Sequence, residues 1–228
     1  MRILLAALLV ALGALIGAPA RAADMPYYPD IEIPEVDYGL GGSFYLRGSA
    51  AANLLWTQEH VPPGCGACIN LPTAPGYGYS VGAGFGYETG TGLRVDGTID
   101  YLQNDGLTDG TDTLHLRAGI ALANAYYDFP ISGGASAEGG FGAYVGLGAG
   151  AAFYKTHITP GPTTDGGGWT PAAAAMAGVS YDAGSWVADL GYRMVYMPTI
   201  SNYVPGDTFY LHDNTLHEVR GTVRYRFH

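Results

Sequence analysis

Charged side chains in this sequence recur at every second position of otherwise apolar runs. Arg94, Asp96 and Asp100 interleave with Leu93, Val95, Ile99 and Tyr101. Asp189 and Arg193 interleave with Leu190, Tyr192 and Met194, and Glu218, Arg220, Arg224 and Arg226 with Val219, Val223, Tyr225 and Phe227. Residues two apart share one face of a strand. Guanidinium and carboxylate groups confined to one face can pair through short, charge-assisted hydrogen bonds, and arginine suits a poorly hydrated space better than lysine. After position 22 the chain has seven arginines and a single lysine, Lys155. Arg47, Arg94, Asp96, Asp100, Arg117, Asp189, Arg193, Glu218, Arg220 and Arg224 are therefore expected to face an enclosed interior as one charge network.

Other chemistries find thinner support. Cys65 and Cys68 stand in Cys-Gly-Ala-Cys. In an exported protein this spacing suits a local disulfide or two loop thiols. A redox pair would need a βαβ setting, and a metal site would need more ligands than nearby His60. His217 adjoins Glu218, but neighbours in a strand point to opposite faces, and no serine is placed to complete a hydrolytic set. The tract Gly146-Leu147-Gly148-Ala149-Gly150 looks superficially like a phosphate-binding loop. No helical pattern follows it, so it reads as a strand stripped of side chains on one face. The sequence thus predicts no catalytic residue, no cofactor and no metal.

The elements that must position the charges are strands. Two-residue alternation recurs eight times, at roughly 43–56, 77–87, 92–102, 112–126, 139–154, 172–182, 185–197 and 214–227. In the fourth, Leu114, Leu116, Ala118, Ile120 and Leu122 are read as the apolar face, against His115 and Arg117. Connections at 57–76, 103–111, 155–171 and 198–213 alternate with 88–91, 127–138 and a tight Ala183-Gly184. Long loops at one end and short turns at the other are the outer-membrane barrel pattern, with the long loops outside the cell. A soluble barrel hides its apolar face, whereas a membrane barrel turns it to lipid. Basic residues on the opposite face that are all arginine favour the second case. Trp56, Tyr87, Tyr101, Tyr126, Trp186, Tyr196, Tyr225 and Phe227, near strand ends, fit two interfacial aromatic girdles. The expected fold is an all-β, eight-stranded antiparallel transmembrane β-barrel, with apolar side chains outward and an Arg/Asp/Gly lumen.

The N-terminus supports export. Arg2 precedes an apolar run from Ile3 to Ala18 and then Ala20-Arg21-Ala22, the layout of a cleaved signal peptide. That run is shorter than the roughly 20 residues a spanning helix needs. Residues 1–22 are read as the signal peptide, 23–41 as an extended acidic, proline-bearing periplasmic segment, and 42–228 as the barrel. With 20 Asp and Glu against 10 Lys and Arg, nucleic acid is excluded as a partner. The 36 glycines and 18 tyrosines suit β architecture and oppose a helical bundle.

The last strand ends Gly221-Thr222-Val223-Arg224-Tyr225-Arg226-Phe227, followed by His228. It resembles the C-terminal signal read by the outer-membrane assembly machinery, with Val223, Tyr225 and Phe227 as its apolar face. Phe44-Tyr45-Leu46-Arg47-Gly48 and His217-Glu218-Val219-Arg220 resemble the small surface-antigen barrels of alphaproteobacteria, and the architecture is similar to OmpA- and OmpX-type barrels. The resemblance implies a structural, surface-exposed barrel of the cell outer membrane. Its partners would be outer-membrane lipid and lipopolysaccharide, the assembly machinery, and host or phage surfaces met by its loops. An eight-stranded barrel has an interior just filled by side chains, so the lumen is expected to be plugged. A narrow small-solute channel and a lipid-modifying barrel enzyme are the alternatives.

Overall fold

The structure is a computed structural model that describes residues 42–61, 74–108, 113–131, 140–159, 166–202 and 209–227. Residues 1–41, the Cys65–Cys68 pair and His228 lie outside the described residues. Nine strands follow one another: β1 (Ser43–Trp56), β2 (Glu59–Val61), β3 (Gly76–Glu88), β4 (Leu93–Thr108), β5 (Thr113–Pro130), β6 (Gly140–Thr159), β7 (Gly166–Ala183), β8 (Trp186–Asn202) and β9 (Phe209–Phe227). All pair antiparallel in the order β1-β3-β4-β5-β6-β7-β8-β9, and β1 pairs back onto β9. The eight long strands therefore form a closed barrel with no free edge. The short β2 continues the line of β1 along the start of β9, with Glu59 opposite His212.

One rim carries the start of β1 and the end of β9, together with the turns at 89–92 and 184–185; we call it proximal and the other distal. Gly90, Gly92 and Gly184 take positive φ values of 77°, 92° and 81° in these proximal turns, a backbone region open to glycine without a Cβ penalty.

The strands outrun their hydrophobic alternation. β4 continues to Thr108, β7 begins at Gly166 and β9 at Phe209. The predicted distal connections 103–111, 155–171 and 198–213 shorten to 109–112, 160–165 and 203–208. The proximal connection 131–139 is longer than any of these three, so loop length separates the two rims less sharply than the sequence suggested. The ladder hydrogen bonds persist where side chains no longer alternate, because pairing needs only backbone groups while alternation reports contact with an apolar surrounding.

The outward face is apolar along most strands. Phe44, Leu46, Leu54 and Trp56 of β1, Ile99 of β4, Leu147 and Phe153 of β6, Leu190 of β8 and Val219 of β9 are all at least half exposed. A soluble protein rarely exposes so continuous an apolar belt. Its ring pairs, such as Phe44 on Phe85 at 5.5 Å and Trp186 on Tyr225 at 4.9 Å, lie toward the proximal end.

β5 departs from the sequence reading. Folding β4 and β5 back about the connection 103–111 predicts Thr98 opposite Arg117, but Thr98 faces Leu122, and Arg117 faces Gln103 instead. The displacement is five residues, an odd number, and an odd slip turns a strand's two faces over. Leu114, Leu116, Ala118, Ile120 and Leu122 consequently point inward, with Leu116 only 1 % exposed, while Arg117 points outward with its side chain 37 % exposed. Tyr126, expected in a girdle, is also interior. Polar matching accounts for the register. Asn124 and Tyr126 share the leucine face, and in the observed register the Asn124 amide donates to Asp96 at 2.7 Å and to Thr98 at 3.1 Å. The opposite register would turn Asn124 to the outer face and leave Asp96 without that donor.

Candidate functional site

The interior next to the proximal rim is built from charged groups supplied by seven strands. On β1, Tyr45 and Arg47 both donate to one Asp96 oxygen at 2.8 Å. Arg47 also reaches the Tyr126 hydroxyl at 2.9 Å. Arg94 grips Asp128 with two hydrogen bonds of 3.0 and 3.1 Å, and its guanidinium lies 4.0 Å over the Tyr126 ring. Arg224 grips Asp189 with two bonds of 2.9 Å and also pairs with Glu88. Arg226 continues the chain to Glu88 and Asp182. Planar guanidiniums meeting carboxylates edge-on explain why arginine is used here.

One layer higher, charges cross the lumen. Arg193 donates to Asp100 at 2.7 Å from the opposite wall and to Glu218 at 2.5 Å beside it. Arg220 donates to Asp100 at 2.6 Å, to Glu218 at 3.0 Å and to Ser49 at 2.5 Å. Ser80 completes the Glu218 shell. All four ionised groups are nearly free of solvent. Glycines make the room: a Cβ on Gly82 would meet Asp100 at 1.9 Å, and one on Gly86 would meet the Tyr45 ring at 2.6 Å.

A closed eight-stranded barrel with an outward apolar belt and a buried Arg/Asp interior is now in view. No known protein family matches the sequence, and no curated protein does. Solved structures do match. Neisserial surface protein A aligns with a TM-score of 0.54 at 19 % identity, covering 82 % of this chain and 99 % of that one. This chain has the fold of the eight-stranded outer-membrane β-barrels. Ail, the attachment invasion locus protein of Yersinia pestis, covers the same 82 % of the chain and 99 % of its own, at 16 % identity and a TM-score of 0.43. OprG from Pseudomonas aeruginosa covers 82 % of this chain and 96 % of its own, at 19 % identity and 0.44. At these identities the fold is what is shared.

Within the outer-membrane barrel, Arg47, Arg94, Asp96, Asp100, Asp189, Arg193, Glu218, Arg220 and Arg224 are brought together in the lumen. Arg193 stands opposite Glu218, and Asp189 meets Arg224. Arg117 is not among them. It bonds Asp105 on the outer face at 2.9 Å. Tyr45, Asn124, Asp128 and Glu88 join the network without having been singled out. Tyr45 sits two residues from Arg47, a recognised lumen position, whereas Asn124 lies on the β5 face read as apolar and outward, and Asp128 and Glu88 lie at strand ends that resemble turns. His217 faces outward and shares a 2.5 Å contact with the Tyr192 hydroxyl, so it and Glu218 serve opposite sides of the wall. Among the described residues, no group of three His, Cys, Asp or Glu side chains is placed to hold a metal.

The distal half of the barrel lumen was unforeseen. Directly above Asp100, Arg193 and Glu218 come Leu102, Val195 and Leu216, all without exposure. With Leu55, Leu114, Leu116, Ile120, Met197, Ile200 and Leu211 they form one buried apolar cluster. Some of its polar groups are bonded locally, while Asn104 Oδ1 and Thr156 Oγ1 are buried without a hydrogen-bond partner. Asn104 donates to Asn53 at 2.7 Å, and Asn214 donates to the Met197 and Leu211 carbonyls at 3.2 and 3.0 Å.

Proposed function

We propose that this outer-membrane barrel is a non-conducting, non-catalytic surface protein. It would reinforce the envelope and carry its distal connections outside the cell, where they contact host, phage or lipopolysaccharide. What supports the reading is the set of described side chains buried in the lumen, ion-paired proximally and mostly aliphatic distally. A cavity lined by Arg47, Arg94, Tyr144, Asp189 and Arg193 amounts to about 10 Å³, at the threshold for one water molecule. An ion entering from the distal side would have to part an apolar plug in which no water could solvate it. Val223, Tyr225 and Phe227 stand on the outer face of β9 beside the proximal rim, partly exposed, where an assembly factor could read them.

The test is conductance. Purified protein in planar bilayers is expected to show no stable open level. A steady, porin-like current would replace this reading with a channel.

A further inference from the structure

The register that turns β5 over places cations on the outer wall. Arg117 of β5 stands directly opposite Lys155 of β6, and His115 directly opposite His157. Their rings and chains share the lipid-side face, with the His115 and His157 rings 6.1 Å apart. Among the described residues, Asp105 of β4 faces this group, and its oxygen Oδ1 takes the hydrogen bonds of both Arg117 at 2.9 Å and His115 at 2.7 Å. Arg117 and Lys155 together outweigh it. Like charges directly across a strand pair are destabilising unless something compensates them, so an anion bound between Arg117 and Lys155 would relieve their repulsion.

Its height says which kind. Immediately below Arg117 and Lys155 come Gly119 opposite Phe153, then Ala121 opposite Ala151 and Ala123 opposite Ala149. Trp169 pairs beside Phe153 and is two-thirds exposed. Aromatic residues at this position mark the membrane interface, and cations one layer beyond it lie at headgroup depth. A cleft of about 690 Å³ opens over His115, Arg117, Lys155 and His157, with Gly166 and Gly167 of β7 contributing no side chains to fill it. Farther down the same strands, Gly97, Ala123, Ala125 and Ala149 line an apolar depression of about 680 Å³.

We propose that this patch is a binding site for the phosphate-bearing headgroup of an outer-leaflet lipid, with Arg117 and Lys155 as its paired phosphate ligands. Cross-strand neighbours of this kind have Cβ atoms about 5 Å apart, so both cations can reach one phosphate from the same side. The acyl chains would descend over the glycine and alanine panel, where small residues leave space that Ile99, Leu147 and Phe153 border. A soluble anion would satisfy the charge but make no use of the apolar recess below it. The proposal rests on the distal rim lying in the outer leaflet. Protease added to intact cells tests that orientation separately, by cutting 203–208 before 184–185.

The binding itself is tested in micelles, where orientation plays no part. Full-length barrel would be titrated with bisphosphorylated lipid A, with its enzymatically dephosphorylated product, and with pyrophosphate, and bound species counted by native mass spectrometry. The expected result is a one-lipid complex with the bisphosphorylated lipid, at least about tenfold stronger than with the dephosphorylated form and weakened about tenfold in Arg117→Gln/Lys155→Gln. Lys155→Glu alone, which leaves the β4 contacts of Arg117 untouched, should weaken it as much and retain wild-type urea unfolding. Equal retention by the variants or by the dephosphorylated lipid overturns the site. Pyrophosphate binding as tightly as the lipid overturns the lipid as its ligand.

Discussion

Below the level of Asp100 the lumen is held by guanidinium and carboxylate groups that reach across strands; above it, by leucine, isoleucine and methionine side chains that only touch. The two fillings occupy the same tube, built by the same alternating strands. They differ in what they specify. Each proximal contact has a named donor and acceptor, so a strand shifted by one residue would strand a buried charge. A distal leucine accepts any neighbour of suitable volume. The proximal half therefore sets the register of the barrel, and the distal half fills whatever space that register leaves. β5 shows the order of command, since Asn124 and Tyr126 fix its face and the leucines follow.

This contrast can be broken by mutation. Removing Glu218 leaves Arg193 and Arg220 sharing Asp100 alone, so Glu218→Ala should cost roughly 3–5 kcal/mol, read from urea unfolding in liposomes. The double variant Arg193→Met/Glu218→Leu removes both charges, and it should recover part of that loss. If it is no better than Glu218→Ala, the layer is a set of separately hydrated ions. Leu116→Ala in the distal half opens a cavity without orphaning a charge and should cost about 3 kcal/mol, with no rescue available from a second deletion. Arg117→Ala on the outer wall should cost less than about 1 kcal/mol, because its partner Asp105 stays hydrated. Equal midpoints for Glu218→Ala and Arg117→Ala would erase the distinction between interior and exterior charges.

How much of this the sequence carries depends on contrast within each strand. In β1, β4, β8 and β9 one face is apolar and the other charged, so Phe44 and Leu46 against Arg47, or Val219 and Val223 against Arg220 and Arg224, reveal both strand and orientation. In β5 neither face is charged over most of its length. Leucine alternates with alanine, and in a membrane either can face lipid. Which one does is settled by two residues near the proximal end and by the bulge between Asp105 and Leu107, where Gly106 adopts a φ of 86°. A residue inserted near a turn changes parity, and parity is invisible in the alternation of a single strand. The apolar plug was hidden for the same reason: its β5 leucines were read as lipid-facing.

The pairing of β1 with β9 runs through thirteen successive positions, from Phe44 against Phe227 to Trp56 against Thr215. Its consequence is one of timing. The first strand to leave the ribosome must wait for the last before its second edge is covered, and contacts between such distant residues form slowly. Through that interval every intermediate sheet has two open edges and a half-built lumen whose arginines lack their carboxylates. A chain of this design keeps both edges open until its last strand pairs with its first.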